Sequence, residues 1–106
     1  MAKYLIIANY NADGIKGVLK DGGTARVDAV TKMVEGVGGK VESFYFAFGG
    51  EDAYVTVDMP DNASVAAVAM TAAAAGQVGV KTVVLLTAGE IDEAAKRQVS
   101  YKPPGG

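Results

Sequence analysis

From Lys40 to Met59 the chain alternates residue by residue around one interruption, and no other segment restricts the fold as much. In the first run Val41, Ser43, Tyr45 and Ala47 oppose Glu42, Phe44, Phe46 and Phe48; in the second Ala53, Val55 and Val57 oppose Tyr54, Thr56 and Asp58. A period of two belongs to strands, whose successive side chains point to opposite faces. Between the runs lies a short polar turn, Gly49-Gly50-Glu51-Asp52. The expectation is therefore a hairpin of two strands, Lys40 to Phe48 and Ala53 to Met59.

The elements around this hairpin follow from punctuation and periodicity. Lys3 to Tyr10 contains the run Leu5-Ile6-Ile7 and reads as a strand buried on both faces. Asn11 to Gly14 reads as a break, Ile15 to Lys20 as a short helical turn, and Asp21-Gly22-Gly23 as a second break before Thr24 offers an N-cap. At about 100° per residue, Val27, Val30, Met33, Val34 and Val37 fall on one arc with Asp28, Lys32 and Glu35 opposite, a helix made to lie on a sheet. Gly38-Gly39 ends it. Pro60 followed by Asp61 or Asn62 as cap opens an alanine-rich helix to about Ala75 with only a weak polar side. Val78 to Thr87 reads as a fourth strand. Thr87 and Glu90 form a capping-box pair that starts a last helix, Ala88 to about Val99. Tyr101 to Gly106, with paired prolines and terminal glycines, is an extended tail.

The order βαββαβ plus a terminal helix is that of an α+β, ferredoxin-like domain: a four-stranded antiparallel sheet with two helices on one face. A chain of 106 residues has room for one such domain, here residues 1 to 100. Strands one, two and four carry apolar residues on both faces, so the uncovered face asks for a second copy stacked against it, with Ile6 expected at its centre. Homodimers, or assemblies built from them, are the expectation.

Composition removes several kinds of chemistry. The chain has no cysteine and no histidine, which excludes disulfides, thiolate and imidazole metal ligands, and histidine-based proton shuttles. Ten basic against twelve acidic side chains give a net charge of -2, with no electrostatic footprint for nucleic acid or an anionic membrane. The first apolar run, Tyr4 to Ala8, is too short for a signal core or a membrane span, so a cytoplasmic location is expected. Gly36 to Gly39 ends a helix rather than beginning one, unlike a phosphate-binding loop. No metal or tightly held cofactor is expected.

The chain resembles the GYD-domain family. The resemblance rests on Tyr4 to Tyr10 followed by Gly14, on Arg26 at the start of the long helix, on Gly38-Gly39-Lys40, on Phe48-Gly49, on Pro60-Asp61, and on Gly76-Gln77-Val78 with Thr82. It implies the dimeric α/β-barrel type of fold, in a family whose biochemical role is generally unassigned. Where the naming motif has Gly-Tyr-Asp, this chain has Gly50-Glu51-Asp52: the aspartate is kept and the tyrosine is not. Tyr54 lies two residues further on.

The candidate site residues are Asn9, Tyr10, Arg26, Tyr54 and Asp58 as ligand contacts, with Asp52 and Tyr54 as acid–base candidates. Arg26 sits at the edge of the apolar helical arc; it is a fork for a carboxylate or phosphate, or the partner of Asp21, Asp52 or Asp58 in a salt bridge. Asp52 beside Glu51 is a possible base, or a solvated turn residue. Asp58, Thr56 and Tyr54 share a strand face and can hydrogen-bond a substrate or edge a dimer interface. Asn9 and Tyr10 end the first strand with polar groups that need partners if covered. The reading that follows is a homo-oligomeric small-molecule-binding protein with a pocket between sheet and helices lined by Tyr10, Arg26, Tyr54 and Asp58. Its alternatives are a cofactor-independent isomerase or oxygenase acting on a carbonyl or aromatic substrate, and a purely structural assembly subunit.

Overall fold

The computed structural model describes all 106 residues. It is an α+β fold with one open, four-stranded antiparallel sheet and four helices. In chain order these are β1 (Ala2–Tyr10), α1 (Ala12–Asp21), α2 (Gly23–Gly36), β2 (Lys40–Phe46), β3 (Ala53–Met59), α3 (Asn62–Ala74), β4 (Val78–Leu85) and α4 (Ala88–Lys96). The sheet order is β2-β3-β1-β4. β1 is thus central, pairing with β3 on one side and β4 on the other.

One face of the sheet carries the core. Tyr4 and Ile6 of β1 and Val55, Val57 and Met59 of β3 meet Val30 and Val34 of α2 and Val65 and Val68 of α3. The alternation of β3 is visible in its burial: Ala53, Val55, Val57 and Met59 are buried while Tyr54, Thr56 and Asp58 are not. Ile6 belongs to this helix-covered face, which corrects its expected place at the centre of the open one. Leu5 and Ile7 point the other way, because neighbours along a strand alternate.

The open face is mixed in character. Lys3 donates to Glu42 and to Asp58, the latter at 2.9 Å, and the Ser43 and Thr56 hydroxyls bond each other across β2 and β3. Beside this polar strip lie Leu5, Ile7, Val83 and Leu85, all sheltered by their neighbours to an intermediate or greater degree. Lys3 is held above its ordinary pKa by hydrogen bonds from its ammonium to Glu42 and then Asp58.

Three local differences from the sequence reading have physical causes. The segment from Asn11 is not a break: the Asn11 side chain accepts from the Gly14 N–H at 3.0 Å, so it caps a full helix, α1, that begins at Ala12. Gly22, at φ 86°, then allows the sharp passage into α2, a conformation that β-carbon-bearing residues avoid. In β2 the register shifts between Val41 and Ser43, a bulge that puts Val41 opposite Val57 and Phe44 opposite Val55. Val41 therefore shares the helix side with Phe44 and Phe46 rather than with Ser43 and Tyr45. β2 also stops at Phe46, leaving Phe48 96% exposed in the turn.

Caps at the later helices follow the sequence. Asp61 accepts from the Ser64 N–H at 2.8 Å, and hydrogen bonds from Ser64 hold its carboxyl below the usual aspartate range. Thr87 and Glu90 complete the capping box of α4, which ends at Lys96 rather than Val99. From Leu86 to Gly106 every residue is exposed, and α4 buries none of its side chains. No helix is long and apolar enough to cross a membrane.

Candidate functional site

The helix-covered interface opens at the end of β1 marked by Tyr10. There α1, α2 and the last turn of α3 part to leave a cleft of about 420 Å³. Small residues make up much of its wall, Gly14 and Gly17 from α1, Ala25 and Ala29 from α2, Ala72 and Ala75 at the end of α3, with Val18, Val30, Met33 and Val78 as its larger apolar residues. Its polar groups are few, chiefly Arg26, Tyr10, Asp21, Thr71 and Gln77. A second, smaller space of about 40 Å³ lies deeper, against Ile6, Ala8, Phe44, Ala53 and Val80. Tyr10 and Arg26 line both spaces.

The backbone around this opening is tied down at several points. Asn11 bridges α1 to the α3–β4 connection: its N–H donates to the Gln77 carbonyl at 3.1 Å and its side-chain amide to the Gly76 carbonyl at 2.6 Å. Gly14 lies directly beneath this junction, where a β-carbon would drive into the Gln77 carbonyl oxygen and crowd the Tyr10 ring. Glycine is required here by close approach rather than by an unusual dihedral. Without it α1 could not sit against the end of β1.

Asp52 fixes Tyr10. Its carboxylate accepts from the Tyr10 backbone N–H at 2.8 Å, its own N–H donates to the Ala8 carbonyl at 2.9 Å, and its carbonyl accepts from Ala47 at 2.8 Å. One residue thus joins the β2–β3 turn to the last residues of β1. The aspartate is a clamp with its carboxylate already engaged, and its place in the fold explains why a side-chain acceptor is needed at this turn.

Arg26 and Tyr10 form the polar centre of the opening. The Arg26 Nε–H donates to the Tyr10 phenolic oxygen at 3.2 Å, and the guanidinium carbon lies 5.7 Å from the centroid of the same ring. That is within cation–π range. None of Asp21, Asp52 or Asp58 forms an ion pair with Arg26; the only ion pairs in the structure are those of Lys3 with Glu42 and Asp58. A guanidinium has five N–H donors, and one of them is used here on protein.

The structure does not gather the remaining candidates at this point. Tyr54 and Asp58 lie on β3 in the set opposite Val55 and Val57, so they face the open side of the sheet. Asp58 is paired with Lys3, and Tyr54 stands across from Tyr45 on β2 and Ile7 on β1. Asn9 is exposed on that same open side. The four-residue lining of Tyr10, Arg26, Tyr54 and Asp58 is therefore split between two faces by the period of two: only the first pair lines the cleft. Asp52 and Tyr54 are likewise separated, the one tied to the Tyr10 backbone and the other on the open face. α1 and Thr71 were not singled out as parts of a site by sequence, and Gln77 entered only through the Gly76-Gln77-Val78 motif of the resemblance; the Asn11 cap followed by Gly14 and Gly17 was the available signal. No group of three acidic side chains comes together in the fold.

The family model for the GYD domain matches residues 4–95, from the first core tyrosine of β1 to the end of α4. The chain belongs to the GYD-domain family. Within this GYD domain Glu51 sits in the β2–β3 turn, while Asp52 makes the clamp to Tyr10. No curated protein matches the chain at significant similarity.

Proposed function

We propose that this GYD-domain protein is a homo-oligomeric binder of a small organic anion, with the cleft between α1, α2 and α3 as its site. The observation that carries this reading is Arg26: a guanidinium without a carboxylate partner, oriented by Tyr10, at the junction of a cleft of about 420 Å³ and a deeper apolar space. Leaving such a charge half-covered without an ion pair costs stability unless something else answers it. Ligand sites of this kind are concave and mostly apolar, with a few polar groups that orient the ligand, and they commonly span about 300–1,000 Å³. The ligand class this favours has a flat or branched apolar body directed toward Phe44 and Val80 and one carboxylate, phosphate or enolate at Arg26.

The strand order and the one-sided placement of α1, α2 and α3 support a ferredoxin-like domain of the dimeric α/β-barrel type. In that arrangement the open faces, with Leu5, Ile7, Val83 and Leu85, stack on one another. Tyr54, Asp58 and Asn9 then contribute to the contact between copies or to a second polar site on that face, rather than to the Arg26 cleft.

Nitrogen-15 NMR of the Arg26 Nε–H tests the reading directly, with benzoate as the simplest probe that joins an apolar ring to a carboxylate. Saturable shifts at Arg26 together with Gly14, Ala29 and Gln77 are expected. Shifts confined to surface lysines, or none at all, would remove the cleft as an anion site.

A further inference from the structure

Residues 86 to 106 form an arm that its own chain does not use. Every one of them is exposed, α4 buries nothing, and Leu86, Ile91, Val99 and Tyr101 are 56%, 51%, 81% and 70% exposed. Yet α4 is a finished helix, with a complete capping box at Thr87 and Glu90. Nine residues are too few for a helix to be stable alone in water, where about 12–15 are needed even in favourable sequences. Its apolar residues gain nothing from this chain, and a surface outside it would give α4 the packing it lacks.

The size of the exposed surface says how much is missing. A compact monomer of this mass exposes about 5,500 Å². This chain exposes 7117 Å², an excess of about 1,600 Å². A stable protein–protein contact buries about 800 Å² on each partner, so the excess is enough for a second copy and too large for a small ligand. The radius of gyration agrees: 16.9 Å, against about 13 Å for a chain of some 100 residues.

We propose that the arm is exchanged between two copies, with Ile91, Val99 and Tyr101 of one docking beside Tyr45 and Tyr54 of the other. Those two tyrosines stand directly across from each other on β2 and β3 and are the exposed aromatics of the open face, at 72% and 37%. The arm leaves from β4, at the opposite edge of the sheet from β2. A two-fold axis running along the strands, between stacked sheets, lays β4 of one copy over β2 of the other, so that the arm, leaving after Leu85, starts at the Lys40 end of the partner's β2. The tyrosine pair lies four residues back along the strands, about 13 Å, a distance that α4 spans if it runs back along the partner's β2 edge. Both contacts are made twice, as an isologous interface requires. Arm exchange rests on the proposed stacking of open faces, and it adds a second, separable part to that interface.

The test is isotope-filtered NMR on the full chain, in a sample mixing carbon-13-labelled and unlabelled copies. Contacts from the Ile91 and Val99 methyls to the Tyr45 and Tyr54 rings of the other copy are expected. Contacts only within one copy, or no contacts from these methyls, overturn the exchange. Sedimentation equilibrium on Ile91→Asp separates the two ideas, since Ile91 lies outside the core and its replacement leaves the domain folded. Arm exchange predicts a dimer dissociation constant at least about tenfold higher. An unchanged dimer overturns the exchange and leaves sheet stacking standing, whereas a monomeric wild-type protein overturns both.

Discussion

The same two helices cover the sheet at both ends, and they do it differently. At the end where α2 finishes and α3 begins, α2 presents Val30 and Val34 and α3 presents Val65 and Val68, against Tyr4, Val57 and Met59 of the sheet. Val34, Val57 and Met59 have no exposed surface at all, and Tyr4 has 2%. At the other end α2 presents Ala25, Arg26 and Ala29, α3 presents Ala72 and Ala75, and the space between is open. Among the apolar residues that face the sheet, valine gives way to alanine along both helices toward Tyr10. Where large residues meet, the fold gains its stability; where small ones meet, the backbone scaffold stays and leaves room for a ligand. The two ends should therefore respond oppositely to changes in side-chain size.

The sharpest way to break this contrast is to hollow the packed end. Met59→Ala removes a fully buried side chain, and a loss of about 2–5 kcal/mol is expected in chemical denaturation. A loss below about 1 kcal/mol would mean that this end is not the stabilising one. Next in size is the clamp between the ends. Asp52→Ala leaves the Tyr10 N–H without its acceptor and is expected to cost about 1–3 kcal/mol, with a changed Tyr10 ring environment by NMR. Filling the open end should do little to stability. Ala29→Leu is expected to shift it by no more than about 1 kcal/mol in either direction while abolishing benzoate binding, since its added carbons enter the cleft. Arg26→Ala is expected to behave similarly in both respects; a large loss of stability there would assign the guanidinium to the scaffold instead.

The smallest effect lies on the open face. Lys3 has its pKa raised by Glu42 and Asp58, so its contribution is fully present below the unfolded value of 10.5 and is lost as pH rises through the higher folded value. Melting temperature should therefore decline slightly in that alkaline window for the wild-type protein, and the decline should be reduced in Lys3→Gln. An equal decline in both would show that the exposed network contributes nothing measurable.

Much of the scaffold was legible because it is written in short-range chemistry. The alternation of Tyr54 to Asp58, the Asp61 cap and the Thr87–Glu90 box each need only a few neighbouring residues, and each stands in the structure where the pattern put it. Asn11 was harder to read, since an asparagine followed by Ala-Asp-Gly serves equally as a turn or as a cap; its bonds to Gly76 and Gln77, 65 and 66 residues away in the chain, decide for the cap. Pairing across strands decides the faces, and no local signal reports it. Tyr10 shares a face with the β3 residues Ala53 and Val55, not with Tyr54, because Ala8 pairs with Ala53 and Ile6 with Val55. In β2 the bulge after Val41 defeats a strict period of two. Arg26 could be placed near the sheet from helical spacing alone, but its freedom from the aspartates depends on tertiary placement: Asp52 is bonded to the Tyr10 N–H, Asp58 is on the opposite face of the sheet with Lys3, and Asp21 ends α1 without reaching the guanidinium.

The most direct test of the open end is native mass spectrometry of the gently purified wild-type protein beside Ala29→Leu. A discrete added mass on the wild-type subunit, that of a small organic anion, is expected, and it is expected to be absent from the variant. Retention of the same mass by Ala29→Leu, or a wild-type protein that carries none, would contradict the claim that the small residues around Tyr10 and Arg26 keep a ligand site open.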